Sequence, residues 1–173
     1  MAEPILMTLT PPTSAGDSDP KFTGKDVKKQ YGSDFVGSKY QRIIAMEDII
    51  EIAQSDGTAQ AVMQKPLTII KSVDIDTPFF KWCCHKKKVI PEVKIHFFHT
   101  LKDDEFFVNF FTITLTNVLI SKDRIIFHDY YSDKGKEKPY LEELTLTPQQ
   151  IKWEYKRDKD PELGNFSTEF ELS

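Results

Sequence analysis

Residues 111–116 read Phe-Thr-Ile-Thr-Leu-Thr, apolar and hydroxylated side chains in strict alternation. Side chains on a strand point to opposite faces with a period of two, so this run predicts a half-buried strand. The same alternation returns at residues 93–97 (VKIHF), 144–146 (LTL), 151–155 (IKWEY) and 166–172. Residues 5–9 and 66–71 (PLTIIK) read as further strands, and residues 124–131 as an extension of one. Many short strands separated by turn signals predict an antiparallel barrel or sandwich.

Two features interrupt the pattern. Asn117 breaks the phase of the 111–120 strand, which a bulge explains. Residues 78–88 predict the one helix, with Thr77 as N-cap and Pro78 at the first helical position. Phe79, Trp82 and Cys83 share a face at helical spacing, Phe80 and Cys84 widen it, and Lys86 to Lys88 occupy the last turn. Residues 43–54 fit helix or strand equally on local evidence. The expected fold is mostly β, a small antiparallel β-barrel or two-sheet sandwich with one short α-helix. All 173 residues read as a single domain. Pro11, Pro12, Gly16, Pro20, Gly24, Gly32 and Gly37 mark residues 10–39 as a long exposed loop.

The chemistry-bearing residues point away from catalysis. The only two cysteines, Cys83 and Cys84, stand beside His85 and three lysines. A reactive thiol wants a helix N-terminus or a positioned histidine. These thiols fall in the middle and C-terminal half of the predicted helix, and Cys83 shares the apolar face. No spaced pair of Cys or His makes a zinc site, since His96 and His99 fall on opposite faces of a strand. No phosphate loop, dinucleotide glycine pattern or nucleophile elbow is present. No catalytic residue, metal or cofactor is expected. A net charge of −4 gives no global attraction to nucleic acid or to an anionic membrane, and no apolar run reaches membrane-spanning length. The Met1-Ala2-Glu3-Pro4 start does not read as a secretory signal.

The order of elements resembles a known family. Residues 65–71 (KPLTIIK), 73–80 (VDIDTPFF), 111–121 (FTITLTNVLIS) and the pair 143–146 (ELTL) and 151–155 (IKWEY) are similar to the Hcp proteins, which form the inner tube of type VI secretion systems. The resemblance covers residues 41–157 and the first strand. The chain departs from the pattern in its longer 10–39 segment and in Lys86 to Lys88, which replace a glycine-rich helix exit. The resemblance implies that residues 43–54 are strand. It implies an extended loop at residues 55–64 that reaches a neighbouring subunit or ring, with Ser55, Asp56, Gly57, Thr58, Gln60, Val62 and Met63 as contact residues. It further implies a homo-oligomer of hexameric, stacked rings, with the sheath, spike and baseplate proteins as partners and small effectors as cargo. Only 16 residues follow Arg157, so cargo is expected to be carried non-covalently. The implied location is the bacterial cytoplasm followed by export without a cleavable signal peptide.

Two other readings stand beside it. One is a monomeric barrel that binds a small apolar ligand against Phe106, Phe107, Phe110 and Phe111. The other is an enzyme that uses Cys83 or Cys84 with His85.

Overall fold

The computed structural model describes residues 4–13, 16, 18–26, 31, 38–55, 58–100, 107–128, 140–156 and 166–171. Among these, the elements in chain order are β1 (Ile5–Thr10), β2 (Lys25–Asp26), β3 (Lys39–Glu47), β4 (Ile50–Ser55), β5 (Thr58–Gln64), β6 (Leu67–Ser72), α1 (Thr77–His85), β7 (Ile90–Thr100), β8 (Phe107–Phe127), β9 (Tyr140–Thr147), β10 (Gln150–Tyr155) and β11 (Phe166–Glu171). Strands β8, β7, β1, β3, β6 and β9 pair in that order, and β9 returns to β8 to close a six-stranded antiparallel barrel. β10 and β11 extend from the free side of β8, and β2 pairs with β3. The mostly-β barrel with one helix is the fold that forms.

Closure depends on the 21 residues of β8. At about 3.3 Å per residue a straight strand of that length would run roughly 70 Å. Asn117, at φ 51°, divides it. Before Asn117 the buried apolar residues are Ile113 and Leu115, and after it they are Val118 and Ile120. The one-residue change of phase keeps both halves facing the core; it comes from the left-handed backbone of Asn117 and not from the expected bulge, because β8 keeps its register with β7 there, Thr116 opposite Glu92 and Val118 opposite Ile90. The first half pairs with β10, and the second half with β9. Met7, Leu67, Ile69, Ile95, Leu115 and Leu144 are all buried in the core they enclose.

The helix adds Phe79, Phe80 and Cys83 to that core. Its N-cap is Asp76, one residue before the expected Thr77. Neither side chain caps the helix in the usual way. Asp76 accepts hydrogen bonds from the Thr23 N–H (2.6 Å), the Gly24 N–H (2.9 Å) and the Gln41 amide. Thr77 donates its hydroxyl to Glu142 at 2.8 Å. The helix ends at His85, three residues before the expected Lys88. Lys87 adopts φ 51°, and the N–H groups of Lys87 and Lys88 return to the carbonyls of Cys84 and Cys83. That is a Schellman ending with lysine where glycine is usual.

An ion pair lies under the helix. The Lys71 ammonium is fully buried, 2.7 Å from the equally buried Glu142 and 2.9 Å from Asp74. It also donates to the Ser72 carbonyl at 2.8 Å and lies over the Phe80 ring. Burial pushes the Glu142 carboxyl above its usual range, against the opposing pull of Lys71 and Thr77.

Two loop expectations change. The described part of 10–39 includes a strap on the barrel. Phe22 packs against Phe79 and Phe80, the next two N–H groups reach Asp76, and Lys25 and Asp26 form β2. Gly24 permits this at φ 55°, where a Cβ would come within 2.7 Å of Lys39 Cβ. The expected extended loop at 55–64 is largely strand: β5 pairs with β4 in a separate two-stranded sheet.

Candidate functional site

The β4–β5 hairpin begins where β3 ends, after Asp48 and Ile49. Asp48 fixes its root. One carboxylate oxygen accepts from the Gln64 amide at 2.7 Å, and the other accepts from the Trp153 indole N–H at 2.8 Å. The Lys65 N–H bonds the Ile49 carbonyl at 2.9 Å, and the Lys65 ammonium meets Glu51 at 2.7 Å. Trp153 packs against the barrel core from β10, so one carboxylate ties the hairpin to a strand 105 residues away.

Beyond that root the hairpin presents apolar groups to solvent. Ile52 stands directly opposite Val62, and Ile50 lies two residues along the same face. Their exposures are 56%, 69% and 53%. Met63, opposite Glu51, lies on the other face and is 48% exposed. A two-stranded hairpin is marginal alone, and a contiguous exposed apolar face points to a covering partner.

The expected contact residues fall on this hairpin in part. Val62 and Met63 are exposed on β5. Ser55 and Thr58 pair across the end of the strands, and the register slip between Ala53 and Gln54 leaves Gln60 as the extra residue of a bulge. Asp56 and Gly57 lie outside the described residues. Ile50, Ile52 and the anchors Asp48 and Trp153 are not among the contact residues that the resemblance implies. The two isoleucines carry a signal in Ile-Glu-Ile, an alternating strand whose inward partner is absent from the barrel.

A second apolar patch stands at one end of the barrel. The rings of Phe127 and Tyr140, ends of β8 and β9, are 5.4 Å apart and both are exposed. The Val73 N–H bonds the Tyr140 carbonyl, and Ile75 beyond it is 74% exposed. Ile125 lies two residues before Phe127 on the same face.

Among the remaining sequence candidates, Cys83 serves the core. Cys83 is fully buried, and burial pushes its thiol up to about 12 in spite of Lys88 nearby. A thiol so protonated is not a nucleophile at neutral pH. Cys84 is half-buried and His85 is exposed. Phe106 lies outside the described residues. Phe107 stacks on Tyr31, while Phe110 meets His99 and Phe111 meets Phe97 at tilted angles, so these rings belong to separate contacts and do not line one cavity. Among the described residues no helix is long and apolar enough to cross a membrane.

The family model described as "Type VI secretion system effector, Hcp" matches residues 39–155. No curated protein sequence matches the chain. Among solved structures, one described as Hcp protein is 18% identical, with a TM-score of 0.73 and 98% of each chain covered. A doubly substituted Hcp1 from E. coli EAEC 042 pathovar is 20% identical, with a TM-score of 0.68 over 98% of this chain and 100% of that one. Secreted protein Hcp3 from Pseudomonas aeruginosa is 18% identical, with a TM-score of 0.66 and 99% of each chain covered. At these identities the structures establish a common fold, and the family model gives the membership. The chain belongs to the Hcp family of type VI secretion tube proteins.

Proposed function

We propose that this chain is the repeating subunit of a type VI secretion tube, closing into six-membered rings that stack and are exported with the tube. The β4–β5 hairpin is then a contact with a neighbouring copy, through Ile50, Ile52, Val62 and Met63 and the turn that includes Ser55, Asp56, Gly57, Thr58 and Gln60. The observation that carries this reading is an apolar hairpin face outside the barrel sheet, held at its root by Asp48. The separate patch of Ile75, Phe127 and Tyr140 supports heterologous association, in which two different surfaces meet head to tail and a ring closes. Sheath, spike and baseplate proteins are the further partners of this reading, and small effectors are non-covalent cargo.

Negative-stain electron microscopy with light scattering tests it. The wild-type protein is expected to give rings with open centres. Ile52→Asp with Val62→Asp is expected to give monomers that melt within a few degrees of wild type. Rings formed equally well by that double variant would sink the hairpin contact. A monodisperse wild-type monomer at every concentration would sink self-assembly in solution.

A further inference from the structure

The barrel has a polar outer face where β1, β7, β8 and β10 run side by side. Register places Thr8 opposite Lys94 and Lys94 opposite Thr114; His96 faces Thr112, and Thr112 faces Glu154. Over this face lies a cleft of about 510 Å³ whose lining includes Lys39, Lys94, His96, Thr112 and Lys156. His96 and Thr112, 7% and 5% exposed, form the buried part of the lining. Its ring nitrogens meet the hydroxyls of Thr8 (3.1 Å) and Thr112 (3.4 Å), and Thr112 donates to Asn109 at 3.0 Å.

The charges around the ring are uneven. Glu92 is held by Lys94 at 3.1 Å, and Glu154 by Lys152 at 3.1 Å. Lys39 is held by Asp26 at 2.5 Å. Lys156 has no ion-pair partner among the described residues. Burial and the fields of Lys94 and Lys156 together push His96 down to about 4, so the ring is neutral at pH 7 and both ammoniums act on one spot.

We propose that this cleft binds a small anionic group, a carboxylate or a phosphate, between Lys94 and Lys156 and against His96 and the hydroxyls of Thr8 and Thr112. The anion balances the Lys156 ammonium, which no described carboxylate neutralises, and the Thr8–His96–Thr112–Asn109 hydrogen bonds hold a neutral polar floor beneath it. Binding at a solvent-open, lysine-bordered site of this kind weakens with salt. The inference does not depend on how copies of the chain assemble.

Protein labelled with ¹³C at the histidine ring gives the test, because the chain has four histidines and His96→Gln assigns the signal. Inorganic phosphate and N-acetylglycine are titrated separately at pH 7, with sodium chloride at matched ionic strength as the control. The expected result is a saturable displacement of the His96 signal by one or both anions and none by chloride. Lys156→Ala is expected to weaken it about tenfold, while Lys88→Ala, on the helix side, leaves it unchanged. Displacement by phosphate alone assigns a phosphate ligand, and displacement by N-acetylglycine alone assigns a peptide-like carboxylate. No saturable displacement by either anion, an equal effect of chloride, or an unchanged response in Lys156→Ala overturns the proposal.

Discussion

The helix and the hairpin are each fastened to the barrel by one carboxylate, and they use that fastening in opposite ways. Asp76 gathers the Thr23 and Gly24 N–H groups and the Gln41 amide, which draws Phe22 over an apolar helix face until Phe79 and Phe80 are sealed. Asp48 gathers the amide of Gln64 and the indole of Trp153, yet the apolar residues beyond it stay in water. At the helix, polar groups are driven inside and satisfied there. At the hairpin, apolar groups are held outside on a fixed base. Stability is therefore concentrated at α1, and the surface available for recognition at β4–β5.

The largest expected effect breaks the helix side. Lys71→Met leaves Glu142 charged and buried without its partner, a class of change that costs about 3–5 kcal/mol. Urea unfolding measures it. Lys71→Met combined with Glu142→Leu removes both charges and is expected to recover most of the loss. A double variant as unstable as the single one would show that the pair is needed for more than mutual neutralisation.

Acid sharpens the same contrast through the outer sheet face. His96 is held down to about 4 in the folded state and titrates near 6.5 when unfolded. The unfolded chain binds the extra proton first, so this stability is present above pH 6.5 and is lost as pH falls toward 4. By linkage the loss is about 3 kcal/mol. Glu142 acts in the opposite sense: its folded pKa is raised, so its contribution is present at low pH and lost as pH rises through the raised value. The difference between the unfolding profiles of wild type and His96→Gln, from pH 7 to 4, isolates the histidine. Parallel profiles would contradict the burial argument.

A smaller effect is expected at the hairpin root. Asp48→Ala removes the acceptor shared by Gln64 and Trp153, at a cost of about 1–3 kcal/mol. Hydrogen exchange is expected to quicken in β4 and β5 while β6 and β7 stay protected. Uniform loss of protection would mean that the hairpin and the barrel unfold as one unit.

The sequence carried the barrel well, because an apolar residue on the wrong face of a strand cannot be buried. The alternation at 93–97, 111–116 and 151–155 reports that constraint directly, and the change of phase at Asn117 is written in the residues around it. The hairpin was harder to read. The described side chains of Ile50, Ile52 and Val62 are exposed, so they carry a strand pattern with no visible inside, and local evidence left residues 43–54 open between helix and strand. The anchors were not legible at all. Asp48 with Trp153, and Asp76 with Thr23, are joined across long stretches of chain, and isolated acids and an indole give no local signal of a partner.

The smallest expected effect concerns the helix exit, where local backbone rules can be tested apart from packing. Lys87 and Asn117 both lie at φ 51°. Side chains with a Cβ pay for the left-handed region, most residues by about 1–2 kcal/mol, while asparagine tolerates it and glycine visits it freely. Lys87→Gly is therefore expected to stabilise the protein by about 1 kcal/mol, since part of the strain relieved is offset by the freer unfolded chain. Asn117→Gly gains little strain relief and loses the bond from the Asn117 amide to Gln149, 2.8 Å long, so it is expected to be neutral or destabilising. Matched urea curves decide between these outcomes. Equal gains at both positions would mean that φ alone sets the cost. A gain at Lys87 only would mean that the barrel's long strand keeps asparagine for its side-chain bond, while the helix tolerates a strained lysine at its end.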